Sequence, residues 1–565
     1  MSNNVKSLGL RSKFTNFMKC DLGGVIAIAI TGLFSILFSY FSLLQYYSIN
    51  DSAYDLGMHA QVIASFLHGE LFYSPLIGES LLAEHFTIFE FFQVPVYFIY
   101  QSPVSLLVFQ DVFIAAGGYL LYIIAKNILK RQISSSLSLE TISLALLLVY
   151  EMSPYTQSLV SFPFHSMAFL PFFFLLAIYS FLSERRIVHF FSLIMIITLH
   201  SNFVYVVAVI LLYEFIFLRY GRGKSIKTWL SSSHDPRGKV QFMYFLIFLV
   251  SLFAYLLFAA LMKNYILGVN SPITLPGTGE AGSPSSSPFA LFGLLVTDPH
   301  NFFSFIGINF SFKAFYTFFI FRNTGYLPFL SPLSLLMTIP YLLYAMPSSY
   351  SSYYELGYQY SSLLLGGVFF GVILGISNAI SIVTYILRKI GKRRKSPISL
   401  GLLSEDTVLE KRKTSVGTYF VVIGVVLIIL AVSVLPYGIF SPKSMFEKPD
   451  GSQMQNINYF SLTGASGFLI KENSLIPSNA YILTENTLMP YFSNHINAYS
   501  TPWSPGIYDN LSRFTFLIIQ NNSYWATTTQ SVPSLQTIAM NGLSNGTYIV
   551  ISSYPSADIL VLERK

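Results

Sequence analysis

The chain has 565 residues, of which 53% are hydrophobic, 17% aromatic and only 10% charged, with a net charge of +7 and a mean hydropathy of +0.57. A soluble chain carries about 25% charged residues, so this composition excludes an ordinary soluble domain and indicates a polytopic α-helical membrane protein. The basic excess sits in short loops between apolar runs, where it sets topology and gives no reason to expect a nucleic-acid partner.

Met1–Lys19 is polar and basic, and the apolar run behind it is too long for a signal-peptide core, so it reads as an uncleaved first helix. Cys20, the single cysteine, excludes an intramolecular disulfide and argues against a cysteine metal site. About eleven spans satisfy the length rule of roughly 20 apolar residues: 22–46, 104–126, 138–157, 164–182, 187–200, 202–219, 241–263, 303–321, 327–346, 361–387 and 416–438. With the N-terminus cytoplasmic, most Lys and Arg fall on one side, including the dense 388–413 loop. The positive-inside pattern therefore places the N-terminus in the cytoplasm and the C-terminus outside a cell membrane. Sequons at Asn50, Asn510, Asn521 and Asn545 lie in segments placed outside, and another at Asn309 lies near the outer end of a span.

The membrane part is expected over 1–440, with a large first outer loop at 47–103. Residues 54–68 predict a short helix ending at Gly69. Its Met58, Val62 and Phe66 stripe suits a helix lying along the membrane surface. Asp55 and His59 are four apart and share a face. A carboxylate at this N-terminus is favoured by the helix dipole, which suits a general base. The same placement suits a helix cap. Glu90 and Pro95 interrupt the apolar 86–100 stretch, which reads as a re-entrant or interfacial helix with Glu84 and His85 at its mouth.

Further outer-face residues follow. His165 opens the fourth span and His200 lies in the hairpin between spans five and six. Asp298-Pro-His300 precedes span eight. Tyr353 to Tyr360, with Glu355 and Gln359 among the tyrosines, suits either sugar stacking or an interfacial aromatic belt. Each histidine taken singly suits a hydrogen-bonded interfacial residue, but His59, His85, His165 and His200 all fall on one predicted side. No HExxH, CxxC, Walker or GxSxG pattern occurs, so zinc hydrolase, NTPase and serine hydrolase chemistry find no support. From about Ser441 to Lys565, short buried strands at 480–485, 514–519, 547–552 and 558–562 predict a small extracytoplasmic α/β domain, a lid or support for the outer loops.

The strings Tyr54-Asp-Leu-Gly57, Glu84-His85-Phe86, Phe164-His165 and Tyr358-Gln-Tyr360 resemble landmarks of a prokaryotic family of predicted membrane proteins, domain of unknown function 2079. The resemblance runs over roughly 20–440 and extends weakly into the C-terminal domain. That family is in turn similar to polytopic glycosyltransferases of the C-type fold, which use polyprenyl-phosphate-linked sugars and carry an acidic residue in the first outer loop. The resemblance implies an inverting transferase with a lipid-linked sugar donor, a glycan, protein or lipid acceptor and surrounding membrane lipids. Asp55 is then the catalytic carboxylate, with His59, Glu84, His85, His165, His200, Glu355, Gln359 and Tyr360 around the substrates.

Two positions depart from the pattern. Relatives often carry a charged string where this chain has Leu199-His-Ser-Asn202, and a histidine where Gln359 stands. If those positions hold the donor phosphate, this chain binds it differently, takes another donor or is inactive. The chemistry needs a base for the acceptor hydroxyl and positive or hydrogen-bonding groups for the departing phosphate. His85, His165, His200, Lys263 and Lys313 are candidates for the second task. A divalent cation held by Asp55 with Glu84 or Asp298 is another. The rival functions are a transporter or flippase of lipid-linked saccharides and a non-enzymatic membrane scaffold.

Overall fold

The computed structural model describes residues 22–84, 86–200, 203–220, scattered helical positions between 246 and 262, 295–393, 439, 460–520 and 534–565. The proposed spans at 241–263 and 416–438, and the residues His85, Ser201, Asn202 and Lys263, lie largely or wholly outside these.

Three described helices are long and apolar enough to cross a bilayer. They are α1 (Leu22–Tyr47), α2 (Pro103–Leu129) and a helix over Gln359–Ile386, whose α-helical part, α3, runs Ser362–Arg393. Ser102 caps α2 by accepting from Val104 N–H, and Pro103 occupies its first turn, where a missing N–H costs nothing. Shorter apolar helices, Arg186–Leu199 and Val204–Phe217 among them, fill the bundle.

Two expected spans are not straight. The 138–157 run is the helix Ser136–Met152 joined to Pro154–Ser161 at 43°. Ser153 caps the second piece and Pro154 opens it; proline cannot donate to the preceding turn, so the helix restarts there. The 303–321 region is likewise Pro299–Gly307 and Phe310–Asn323, bent by 71°.

The expected span at 327–346 is corrected. It consists of 3-10 segments Leu327–Leu330 and Pro332–Thr338 and a short helix Ile339–Ala345. Pro328, Pro332 and Pro340 prevent one continuous helix. This broken backbone is held against α3 by glycines. A Cβ on Gly371 would lie 2.8 Å from Ser334 Oγ, and one on Gly375 only 2.0 Å from the Leu327 carbonyl oxygen. Small residues let irregular backbone sit directly on a membrane helix.

Residues 460–565 form a mixed five-stranded sheet, ordered β2-β1-β3-β5-β4, with β1 Ile482–Glu485, β2 Ala498–Thr501, β3 Phe516–Gln520, β4 Tyr548–Tyr554 and β5 Ile559–Arg564. β1 runs parallel to β2 and β3, whereas β5 is antiparallel to β3 and β4. Alternation along the strands divides their side chains between two faces. Leu483, Leu517, Ile519 and Leu562 pack beneath the helix Leu535–Ser544. Ile482, Phe516, Ile518 and Val561 join the apolar core that continues into the helical bundle.

Gly375→Ala is expected to lower stability by about 1–3 kcal/mol, the usual cost of overpacking, because the obstructing atom is backbone. Gly32→Ala on α1, where nothing lies within 4 Å of the added Cβ, is the control. Thermal unfolding of both variants in detergent checks this: equal midpoints would refute the close approach of α3 to 327–338.

Candidate active site at the first loop

The first loop returns the chain from α1 to the bundle through a π-helical turn at Ala53–Gly57, followed by a helix at Met58–Leu67. The cap is Ser52, which corrects the assignment of that role to Asp55. Ser52 Oγ accepts from Asp55 N–H at 3.4 Å and donates to Asp55 Oδ2 at 2.8 Å. Asp55 is half-buried, fixed in place by a hydroxyl donor rather than spent on the helix end.

The helix behind it is also corrected. Met58 to Ser65 are all buried, so it does not lie exposed along a membrane surface. Phe66 stacks on Phe72 and meets Phe91 edge-on. Gln61 Nε2 donates to the carbonyls of His495 and Ala498 at 3.1 and 2.9 Å, so the C-terminal sheet domain covers the helix.

His59 points into the protein. Its Nδ1 lies 2.9 Å from Glu90 Oε1. A carboxylate oxygen accepts, so Nδ1 carries the proton and Nε2 the lone pair of a neutral ring. Glu90 stands in the first turn of the helix Glu90–Ile99 with no solvent exposure. The same Oε1 accepts from Ser166 Oγ at 3.0 Å, and Ser166 Oγ accepts from Gln93 Nε2 at 3.4 Å. Sequence reasoning treated Glu90 only as an interruption of an apolar run. The usable signal was a lone carboxylate in a helix's first turn, where the dipole favours it.

His165 joins this cluster. Its ring centroid is 5.5 Å from that of His59. Its Nδ1 accepts from Met167 N–H at 3.1 Å, capping the turn Ser166–Phe169, so Nε2 carries the proton in the neutral ring. Gln110 of α2 accepts from His165 N–H at 2.8 Å. The segment ending at His200 is tied in through Phe89 N–H, which donates to the Thr198 carbonyl at 3.0 Å. Buried Gln359 belongs to a short turn packed on Ser166–Phe169. Phe162 bridges the two, with its ring 6.3 Å from His165 and 5.7 Å from Tyr358. Tyr360 packs edge-on against Tyr353 at 4.3 Å, and Glu355 is half-buried nearby in sequence. Glu84 ends the short helix Leu81–Glu84; its side chain and all of His85 lie outside the described residues.

Other candidates are committed elsewhere. Lys313 Nζ donates to the carbonyls of Phe305 and Met346, each at 2.8 Å, so it ties broken helices together and is not offered to a phosphate. Asp298 caps its own helix by accepting from Asn301 N–H at 3.0 Å. Among the described residues no group of three or more His, Cys, Asp or Glu is placed to hold a metal ion.

The C-terminal domain reaches the Asp55 turn directly. Asn486 Oδ1 accepts from Ala53 N–H at 3.0 Å and from Trp503 Nε1 at 2.8 Å. Tyr491 stacks on Tyr46 at 4.7 Å and donates to its carbonyl.

The family described as Predicted membrane protein (domain of unknown function 2079) matches residues 45–554. The chain belongs to that family. The match runs from the end of α1 through the last-but-one strand of the sheet domain, so it covers both the first loop and the domain docked on it. Among solved structures, ArnT from Cupriavidus metallidurans bound to undecaprenyl phosphate is similar over 93% of this chain and 97% of ArnT. The identity is 11% and the TM-score 0.42. No curated protein matches the sequence.

Asp51 is the most perturbed acid of the loop. It is 3% exposed, and among the described residues neither carboxylate oxygen has a hydrogen-bond partner. Burial, reinforced by the neighbouring Asp55 charge, pushes its pKa from 3.8 to about 8. Between these values the folded protein keeps a proton that the unfolded chain has released, so its contribution to stability falls as pH rises through that window. Asp51→Asn should therefore raise the unfolding midpoint near pH 8 and change it little near pH 4. Thermal unfolding across that range checks this; a constant gap between variant and wild type would refute the buried titration.

Proposed function

We propose that the protein is a membrane glycosyltransferase that moves a sugar from a polyprenyl-phosphate-linked donor to an acceptor hydroxyl at the outer face. The observation that carries this reading is that one short segment bears both the half-buried Asp55, held by Ser52, and His59, which joins Glu90 and lies beside His165, beneath a docked domain.

Asp55, held by Ser52, takes the proton of the acceptor hydroxyl. The acceptor oxygen then forms the new bond at the anomeric carbon, and the bond from that carbon to the phosphate oxygen breaks with its electron pair leaving on polyprenyl phosphate. In-line displacement inverts the anomeric centre. The leaving phosphate needs donors. His165 suits this task because the backbone of Met167 occupies its Nδ1 and puts the proton on Nε2. His200, at the tied-in end of the neighbouring helix, is a second donor. Glu90 is a positioning residue that fixes the ring of His59, while Gln359 and Tyr360 flank the phosphate side. The membrane environment supplies the lipid-linked donor; the acceptor is a glycan, protein or lipid.

The transporter or flippase reading draws on a different observation. Asp111 in α2 and Glu151 at the 43° break are fully buried; Asp111 faces Ser42 of α1, and the carboxylate oxygens of Glu151 have no hydrogen-bond partner among the described residues. Glu151 presses on Gly118, seven residues or about 10 Å along α2 from Asp111. Buried carboxylates and broken helices mark transport paths.

Glycan mass spectrometry of envelope proteins and lipids separates the two. A deletion strain is restored at equal membrane abundance with wild type, Asp55→Asn, or the Asp111→Asn, Glu151→Gln double variant. The transferase reading expects a sugar that wild type and the double variant restore and Asp55→Asn does not. Loss of a general base costs about 10²–10⁴-fold in rate. Restoration by Asp55→Asn but not by the double variant would favour transport, and no glycan change on deletion would refute both.

A further inference from the structure

Trp503 is a large aromatic held rigidly yet left open. It lies in the turn after β2, where Ser504 N–H donates to the Ser500 carbonyl at 2.9 Å and Ser504 Oγ accepts from Ser500 N–H at 3.0 Å. The next residue, Pro505, fills the space over Gly78, where a Cβ would lie 2.6 Å from Pro505 Cγ. The turn is thus fixed from both sides. The indole N–H is already satisfied by Asn486, which is buried and also holds the backbone of Ala53. Trp503 therefore has no hydrogen-bonding need to meet at the surface, yet it remains 41% exposed.

Its ring packs against Tyr54 at 5.1 Å, tilted by 43°, and Tyr54 is the residue immediately before Asp55. The platform is built from two parts of the chain more than 400 residues apart and locked by one buried amide. Tyr73, also exposed, lies on the adjoining hairpin within electrostatic reach of Tyr499 on β2, so the aromatic surface continues along the junction between loop and domain.

We propose that Trp503 and Tyr54 form a saccharide-stacking site that holds the acceptor sugar ring beside Asp55. The inference rests on the transferase reading and gives it an acceptor class: a glycan, presented to the base by the C-terminal domain. A sugar ring offers an apolar C–H face to an aromatic plane while its hydroxyls stay in water, and a pre-oriented aromatic loses little entropy on contact. A membrane-interface anchor would use the same residue type. An anchor, however, gains most with its N–H free for headgroups, and here Asn486 takes that N–H.

The test uses the full-length protein in phospholipid nanodiscs on a printed array of hexose- and N-acetylhexosamine-terminated oligosaccharides. Wild type and Asp55→Asn are expected to bind the same subset. Trp503→Ala should bind it about threefold to tenfold more weakly, the size of one lost aromatic contact, and Trp503→Phe should recover most of the signal. Tyr54→Ala, whose folding does not depend on the Trp503–Asn486 hydrogen bond, provides an independent arm with the same expected weakening. Thermal unfolding of each variant separates loss of the site from loss of the fold.

Several results would overturn the inference: no glycan bound by wild type, unchanged binding by folded Trp503→Ala and Tyr54→Ala, or weakening only toward anionic phosphatidylglycerol vesicles. Trp503-dependent glycan binding together with restoration of the sugar by Asp55→Asn would keep this site and reject the transferase reading. Loss of the sugar in Asp55→Asn with unchanged array binding by Trp503→Ala would do the reverse.

Discussion

Glu90 is the constraint on which the rest of the site depends. A carboxylate removed from water must find its donors inside the protein, and one left uncompensated is severely unfavourable. Glu90 finds them on two segments remote in sequence, His59 of the first-loop helix and Ser166 of the turn ahead of the Leu170–Leu182 helix. That requirement draws the loop inward and explains why the 58–65 helix is buried on every side. It also sets the tautomer of His59 and brings the His165 ring to 5.5 Å from it. If Glu90 is considered as alanine, His59 and Ser166 each lose an acceptor in a dry setting, at a cost of about 1–3 kcal/mol for each buried polar group left unmade.

The second constraint is the sheet domain. Because alternate residues of β1, β3 and β5 feed the same apolar core as the helices, this domain is part of the bundle's packing rather than an appendage. Its polar contacts concentrate on the chain around Asp55. Asn486 grips the backbone two residues before it, Met489 lies 3.3 Å from where a Cβ on Gly57 would be, and Asn494 bonds both Tyr97 and the Gln101 carbonyl at the far end of the loop. A rigid second layer of this kind is what keeps a reacting group in productive geometry. The Asp55 turn thus inherits its order from residues near the other end of the chain.

Membrane character and family were legible in the sequence because both rest on signals that survive without coordinates, apolar length for the one and short ordered motifs for the other. Four of the five strands of the sheet domain fall in the apolar runs that the sequence marks, since alternation and buried β-branched residues are local properties, whereas β2 (Ala498–Thr501) lies in a polar stretch that carries no such signal. Local signals failed wherever a partner from elsewhere decides the outcome. Ser52, not Asp55, caps the turn because a hydroxyl can accept one N–H and donate to the carboxylate at once. The 327–346 stretch has the hydropathy of a span, yet its prolines forbid one helix and the glycines of α3 accept the broken backbone instead. Glu90, Asn486 and Trp503 had no motif to announce them, because Glu90 meets His59, Asn486 meets Ala53 and Trp503 meets Tyr54 across about 30 to more than 400 residues of sequence.

The buried acids of α2 and the 136–161 pair bear on how the two functional readings relate. A transferase of lipid-linked sugars must admit a polyprenyl chain from the bilayer and a charged phosphate from its boundary, so an apolar bundle with polar groups confined to one end would suffice. Asp111 and Glu151 are fully buried, which that chemistry does not require, and Glu151 has no hydrogen-bond partner among the described residues. Asp51 connects the two regions: it sits on the Asp55 loop and lies within electrostatic reach of both Asp55 and Asp111. The acids of the bundle are thus continuous with the first loop through Asp51, and buried carboxylates that reach the loop serve either reading, as a support for the Asp55 turn or as steps on a transport path.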